Sequence, residues 1–554
     1  MSLRDELLNQ LRTQPFDLLI IGGGIVGAGI ARDATMRGLR VALIEKGDFA
    51  SGTSSKTSKL IHGGLRYLEQ GHLRLVVESV KERRILRAIA PQLVWPLSLT
   101  IPLYRGDSRP RWKIAAGLLL YDLLALPCTR PAHHIASPGE LLRREPGLNP
   151  TGLRGAASYT DCQMDDARLC LANILQAVSF GAVCGNYVAL RAFTKTSGRL
   201  SGAVVQDIRT AQVFEVRAGL VVNATGPWSD AIRRLSDSTV PARLAPTKGV
   251  HLVVPRLTND AFFFQARSDQ RMLFLLPWGA YSLIGTTESP EVDDLETLRA
   301  TGNDVDYLLS EVNRLIPDAA SRLQASGLIA TFAGARPLLA FSGSSTRASR
   351  EHRIEIDRYG LVSVMGGKYT TYRAMAQQTL DLIVRRFGLP VCRDGRSAGR
   401  RAEPCLTDHV TLLESAHPVV LNRWREVTGR MAPELLARLL TRYGTGAFRI
   451  LELLEFEPAL AQPVCPHHDV MQAECVYAMR EELACTLSDL LVRRTTIAYS
   501  ACQGLDMLSA LTDVLQRYTR LSREELDEQI ASYRRFLTDS FAFRRDTPTP
   551  ALSA

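Results

Sequence analysis

The sequence predicts an α/β protein in which a Rossmann-like nucleotide-binding domain interleaves with an antiparallel-sheet domain and a helical cap follows. Three stretches carry that prediction. Residues 17–46, DLLIIGGGIVGAGIARDATMRGLRVALIEK, read as strand, glycine turn, helix and strand. From about 245 to 285, apolar residues alternate and aromatics recur, as in an antiparallel sheet. Beyond Pro390, after a patternless Gly- and Arg-rich stretch, apolar residues fall at three- and four-residue intervals, the period of packed helices.

The apolar run Leu18 to Ile21 is expected to be a buried parallel strand, with Gly22, Gly24 and Gly27 following at G-x-G-x-x-G spacing. Gly22 permits the tight turn, Gly24 lets the backbone approach a pyrophosphate, and Gly27 lets the helix pack closely on the strand. The helix N-terminus then presents unpaired N–H groups to the anion. A second strand, Val41 to Ile44, ends at Glu45, placed to bond ribose hydroxyls. The loop beyond it is dense in hydroxyls. Ser51, Thr53, Ser54, Ser55 and Ser58 offer donors to a pyrophosphate and a ring system, and Gly63 and Gly64 permit close approach. Arg66 and Tyr67 then stand beside whatever binds over the ring.

Two later fragments read as returns of the chain to the same ligand. Asn223-Ala224-Thr225-Gly226 follows the strand Leu220 to Val222, and Val362 to Lys368 adds a lysine after the pair Gly366-Gly367. With no second strand-linked G-x-G-x-x-G, a nicotinamide domain is not expected, and the dinucleotide that carries its own redox ring is FAD.

Net charge of +10 and a pI near 9.2 point to anionic partners, a membrane surface or a phosphorylated substrate. Nucleic acid ranks last, because no lysine-rich tail or basic run with interleaved aromatics is present. The cysteines lack a C-x-x-C, and the pairs His133-His134 and His467-His468 lack carboxylates or cysteines at ligand spacing, so no metal is expected. Asp5 and Glu6 stand where a signal peptide is apolar, which argues against export. The longest apolar stretch, Ile114 to Leu126, is too short to span a bilayer. Arg105, Arg109, Arg111 and Lys113 precede it, giving a basic apolar segment able to lie in a lipid interface or to serve as a core helix.

Further strands are expected around Val204 and Val205 and at Val250 to Val254, Met272 to Leu276 and Leu283 to Gly285. Helices are expected at Pro433 to Tyr443 and, as one element, Cys475 to Arg494. Ser522 with Glu525 makes a capping box, and Asp165 a helix N-cap rather than half of a carboxylate dyad with Asp166. RRDTPTPALSA at the end reads as a frayed tail.

The blocks SSKTSKLIHGGLRYLE, YTDCQMDDARL, NATGPW, KGVHLVVP, IGTTE, GARPL and GGKYTTYR, then ECVYAMREELACTLSDLLVRRT, occur in the order found in FAD-dependent, aerobic glycerol-3-phosphate dehydrogenases, which this chain resembles over nearly its whole length. The resemblance implies an FAD-binding Rossmann-like domain (about 1–95, 155–240 and 335–390) interleaved with an antiparallel-sheet substrate domain (about 96–154 and 241–334), together forming a body over 1–390. A linker at 391–405 and a C-terminal α-helical cap at 406–554 complete it. It adds Leu60 and Thr370 to the FAD contacts, with Lys368 shared between cofactor and substrate.

The implied reaction is oxidation of sn-glycerol 3-phosphate to dihydroxyacetone phosphate by hydride transfer from C2 to FAD. Electrons then pass to membrane quinone, in a homodimer lying peripherally on the cytoplasmic face of the cell membrane. Arg336, Arg350 and Lys368 suit a phosphate dianion, and His251 suits the base that takes the hydroxyl proton. His251, Arg336 and Lys368 are the expected catalytic residues, with Arg66 and Tyr67 orienting the substrate. Two positions depart from the family pattern: Glu288 stands where Asp is usual, and Met365 where Phe is common. A soluble oxidase reducing oxygen and a non-catalytic FAD-binding regulator at the membrane stay open as alternatives.

Overall fold

The computed structural model describes residues 3–65, 68, 71–125, 133–290, 292, 294–319, 323, 327–340, 351–388, 390–391, 400–401, 403–413, 433–519 and 521–546. Its fold class is the predicted one, a mixed α/β body of two large sheets followed by helices.

The first sheet runs, in spatial order, His352–Ile356, Val362–Gly366, Val213–Asn223, Phe16–Ile21, Val41–Glu45 and Val183–Asn186. Every join on that path is parallel except the outermost hairpin. Leu18, Leu19 and Ile20 are fully buried, as a parallel strand covered on both faces requires. Helix Ile25–Met36 covers one face through small residues, Gly27, Ala28, Ala31 and Ala34 among them.

In the second sheet the order is Ala330–Arg336, Thr247–Pro255, Tyr281–Gly285, Met272–Trp278, Ala261–Gln265, Val94–Tyr104, Leu153–Met164 and Leu60–Ile61. It is antiparallel except where Ala261–Gln265 meets Val94–Tyr104. Two expected boundaries move. Leu153–Met164 pairs with Val94–Tyr104 along its length, so the division near 155 cuts through one strand of this sheet. Leu60 and Ile61, inside the expected 1–95 segment, pair with Gln163 and Cys162 of the same strand. A ladder between distant segments leaves no local pattern to read.

Alternation along Thr247–Pro255 sorts its side chains. Val250, Leu252 and Val254 join the core beneath helix Gly302–Leu315, while Val253 faces the cap core. Gly249 and His251 share the face of Val253.

The cap contains Pro433–Tyr443, Ala447–Phe456, Gln472–Arg480, Leu508–Tyr518 and Arg523–Ser540, the last opened by the expected Ser522–Glu525 capping box. The single helix expected from Cys475 to Arg494 is broken. Leu483 adopts φ 58°, and the Asp489 carboxylate accepts the N–H groups of Cys485 and Thr486 at 2.8 and 3.0 Å, starting a separate turn over Asp489–Arg494. Of the expected linker, 392–399 and 402 lie outside the described residues. Residues 406–413, at the start of the expected cap segment, pack on the first sheet's core. Arg32 donates to the Thr407 carbonyl at 3.1 Å, Leu412 N–H donates to Ile89 at 2.7 Å, and Leu412 and Leu413 enter the first core. Among the described residues no helix is long and apolar enough to cross a membrane.

Candidate active site

A cavity of about 710 Å³ opens where the carboxyl ends of the parallel strands meet the near face of the second sheet. Its floor is the glycine turn. Gly22 has φ +110°, and a Cβ there would stand 2.6 Å from the Ala224 carbonyl oxygen. Gly27 lies behind the wall, where a Cβ would come within 1.9 Å of Gly22 O, so its absence lets helix and strand touch. Gly24 caps the helix, and Gly24, Ala224 and Gly226 line the cavity. Glu45 accepts N–H groups from Gly23 at 2.7 Å and Gly47 at 2.9 Å, with its carboxylate on the cavity wall. Burial pushes its pKa up, against those two donors.

The hydroxyl-rich loop splits between wall and scaffold. Thr53, Ser54, Ser58, Leu60 and Gly64 line the cavity. Ser54 Oγ accepts the Ile25 N–H at 2.9 Å, and Thr53 Oγ1 donates to Ala335 O at 2.6 Å. Ser55 and Gly63 stand behind the lining. Ser55 O accepts Lys59 Nζ at 2.8 Å. Gly63 donates to Asp161 at 3.1 Å, and a Cβ on it would strike Tyr121 Oη at 2.0 Å. Gly366, Gly367, Lys368 and Thr370 close one side, with Thr370 Oγ1 accepting the His62 N–H at 3.3 Å. Gly367 has φ +89°, and a Cβ would lie 2.4 Å from Met375 Sδ.

Across the cavity the second sheet presents His251 and Arg336 on neighbouring strands. Phe332, paired with His251 in register, stacks on its ring at 5.0 Å, and Gly285, its other cross-strand partner, leaves room for it: a Cβ there would meet the ring at 2.3 Å. His251 Nε2 lies 2.8 Å from Ser58 Oγ, and Nδ1 is buried with no hydrogen-bond partner among the described residues. Burial, then the Arg336 and Lys59 cations, holds the ring well below the ordinary histidine range, so it is neutral at pH 7. Arg336 Nη2 donates to Thr286 Oγ1 at 3.1 Å, and Nη1 lies 3.8 Å from Glu288. Lys368 Nζ reaches Ser79 Oγ at 3.4 Å.

Arg66, Tyr67 and Arg350 lie outside the described residues. Two residues not singled out in the sequence, Arg271 and Lys56, and one set aside there, Asp166, belong to the site or its support. Arg271 lines the cavity and donates to Glu288 O at 2.7 Å, a cation before a strand with no local sign of its role. Lys56, in the hydroxyl-rich loop, is held below the usual ammonium range by burial and by Arg493. Asp166, partner of the N-cap Asp165, pins that loop by accepting from Lys59 Nζ at 2.5 Å and Thr57 Oγ1 at 2.7 Å. The histidine pairs also find partners from elsewhere in the fold. His133 meets Asp122 at 2.5 Å, His134 meets Glu140 at 2.9 Å, and His468 meets Cys502 at 3.4 Å; among the described residues only His468 stands in a group of possible metal ligands, with Cys465 and Cys502, which the expected lack of cysteines at ligand spacing did not foresee.

These features fit FAD. A glycine turn with no room for a Cβ at Gly22 or Gly27, a helix N-terminus, a carboxylate at a strand end and two further backbone approaches bound one cavity, with His251 and Arg336 also in its lining.

A family model described as FAD dependent oxidoreductase matches residues 17–373, and one for the C-terminal domain of alpha-glycerophosphate oxidase matches 405–526. Glycerol-3-phosphate dehydrogenase 2 of Mycobacterium tuberculosis is 37% identical over 95% of this chain and 88% of its own length. The glycerol-3-phosphate dehydrogenase of Synechocystis is 35% identical over 95% and 97%. The structure of the glycerol-3-phosphate dehydrogenase from Bacillus halodurans complexed with FAD superposes with a TM-score of 0.76 at 28% identity, covering 97% of each chain.

Proposed function

Since the chain belongs to the family of FAD-dependent glycerol-3-phosphate dehydrogenases, we propose that it oxidises sn-glycerol 3-phosphate to dihydroxyacetone phosphate and passes the electrons to a membrane quinone. The observation that carries the reading is a neutral, buried His251 beside Arg336, both facing a dinucleotide cradle across one cavity.

Bound FAD supplies the acceptor for the C2 hydride. Arg336, with Lys368 on the adjoining wall, holds the phosphate dianion by charge-assisted hydrogen bonds, which fixes C2 relative to the cradle. His251 takes the hydroxyl proton, and Ser58 Oγ, 2.8 Å from Nε2 on the same wall, is placed to hand it over. The free ring is a weak base first because it is buried, and further because Arg336 and Lys59 repel its protonated form. A phosphate dianion on Arg336 cancels that repulsion, so substrate binding strengthens the base when it is needed. Anaerobic addition of sn-glycerol 3-phosphate is expected to bleach the flavin's visible absorbance; an unchanged spectrum overturns the reading.

Arg336→Ala is expected to raise KM for glycerol 3-phosphate by roughly 10- to 100-fold, the loss of one or two charge-assisted hydrogen bonds. Saturation at the wild-type concentration in steady-state assays assigns phosphate binding elsewhere.

Support for a membrane acceptor comes from helix Arg111–Ala125. It buries Leu118 and Tyr121 but leaves Trp112 73%, Leu119 54% and Leu123 55% exposed on the opposite side, behind a basic lead-in. The neighbouring helix Leu73–Ile89 exposes Leu73 and Val77. The protein is expected to sediment with anionic liposomes at moderate salt, and Leu119→Asp with Leu123→Asp to abolish this. Failure of the wild type to bind, with oxygen reduced faster than a quinone analogue, favours a soluble oxidase.

A further inference from the structure

Away from the cavity, one cluster of donor atoms has no part in this chemistry. Cys465 ends the strand Pro463–Cys465, His468 opens its hairpin partner His468–Met471, and Cys502 follows the turn Ile497–Tyr499. One ligand atom from each, two Sγ and a ring nitrogen, all lie within 4.8 Å of one another, with His468 Nε2 3.4 Å from Cys502 Sγ. Zinc–sulfur bonds of about 2.3 Å and zinc–nitrogen bonds of about 2.0 Å set tetrahedral edges of roughly 3.5–3.8 Å, so these side chains need only small rotations to share one ion. Ser500 Oγ competes for the ring nitrogen at 3.0 Å. It already gives its own proton to Ile497 O at 2.7 Å, so it can release the ring and stay bonded.

We propose that Cys465, His468 and Cys502 form a binding site for a borderline-soft divalent ion of the zinc class, with solvent in the fourth position. Two thiolates and a neutral imidazole balance the ion's charge and exclude the hard cations magnesium and calcium, which take oxygen ligands. The site sits at the joint between cap and second sheet. Tyr499 packs edge-on to Phe332 at 5.5 Å, Ala501 N–H donates to Tyr281 Oη at 3.0 Å, and Gln503 Nε2 donates to Ile329 O at 2.8 Å. An ion there ties the cap's hairpin to the turn that braces the strand behind His251, and its binding energy adds to docking of the cap.

The test uses the FAD-loaded enzyme, kept reduced with a phosphine and stripped of metal by a chelator. Cobalt(II) titration is expected to raise thiolate–cobalt ligand-field bands to the red of the flavin absorption, saturating at one ion per chain and quenched by zinc. Cys502→Ser is expected to lose the bands, and His468→Ala to weaken cobalt binding at least tenfold, both with wild-type FAD content. Re-addition of zinc to stripped wild type is expected to raise the unfolding midpoint. The proposal fails if wild type shows no such bands, if the bands survive Cys502→Ser, or if Cys465 and Cys502 prove to be disulfide-bonded under these conditions. Should Cys502→Ser not fold, the wild-type titration decides alone.

Discussion

His251→Gln is expected to retain FAD and lose roughly 10²- to 10⁴-fold in kcat, the usual worth of a positioned general base. Glutamine keeps a polar group between Ser58 and Phe332 but cannot take up a proton at neutral pH, so the loss falls on chemistry and KM changes little. The pH profiles make the assignment specific. In the free enzyme, burial, Arg336 and Lys59 hold the ring below its ordinary range, so the acid limb of kcat/KM lies below about pH 6.5. In the complex the substrate phosphate offsets Arg336, which moves the acid limb of kcat to higher pH than that of kcat/KM. His251→Gln removes both limbs. Near-wild-type turnover, or an acid limb that persists in the variant, assigns the base to another residue.

Why His251 is legible and Arg271 is not follows from how each is held. KGVHLVVP alternates along a strand, so the face that carries His251 can be worked out from its neighbours, and the structure adds only Gly285 and Phe332 on either side. The glycine turn is local in the same sense, since Gly22, Gly24 and Gly27 act within one turn and Glu45 follows on the next strand. Arg271 reaches the cavity by bonding the Glu288 carbonyl across the sheet, and Asp166 reaches the hydroxyl-rich loop through Lys59; neither partner is near in sequence. Cys465 and His468 are neighbours on one hairpin, but Cys502 joins them only through the fold, so the three-membered group is not visible in the sequence. The break at Leu483 was hidden because apolar periodicity continues through it. It is imposed by polar anchors on the body, Arg168 on Glu482 and Asp48 on Arg493 and Arg494, which no helical pattern encodes.

That last anchor sets the second large effect. Asp48→Asn is expected to destabilise the docked cap by about 3–5 kcal/mol, the cost of removing one partner from a buried ion pair. In the wild type the Asp48 carboxylate accepts from Arg493 Nε at 2.5 Å and from Arg494 Nη1 and Nη2 at 2.7 and 3.0 Å, all from the cap, and Asn186 adds a bond at 3.2 Å. Asparagine keeps one acceptor oxygen but no charge and turns an amide NH2 toward the guanidinium groups, leaving Arg494 buried without its counter-charge beside Glu482 O at 2.9 Å, and Arg493 with Asp489. The same contacts give a pH signature. Despite burial, Arg494 and Arg493 hold Asp48 down to about 2. A carboxylate depressed on folding contributes stability above its unfolded pKa of about 3.9, and this is lost as pH falls through the folded value. The wild-type unfolding midpoint is therefore expected to drop between about pH 4 and 2, and Asp48→Asn to lack that component while melting lower at neutral pH. Because Asp48 closely follows Glu45 on the loop that leaves the nucleotide strand, the variant is also expected to release FAD more readily. An unchanged midpoint at neutral pH, or an identical acid dependence in both proteins, would show that the cap is held by its apolar contacts with Phe332 and Trp278 rather than by this ion pair.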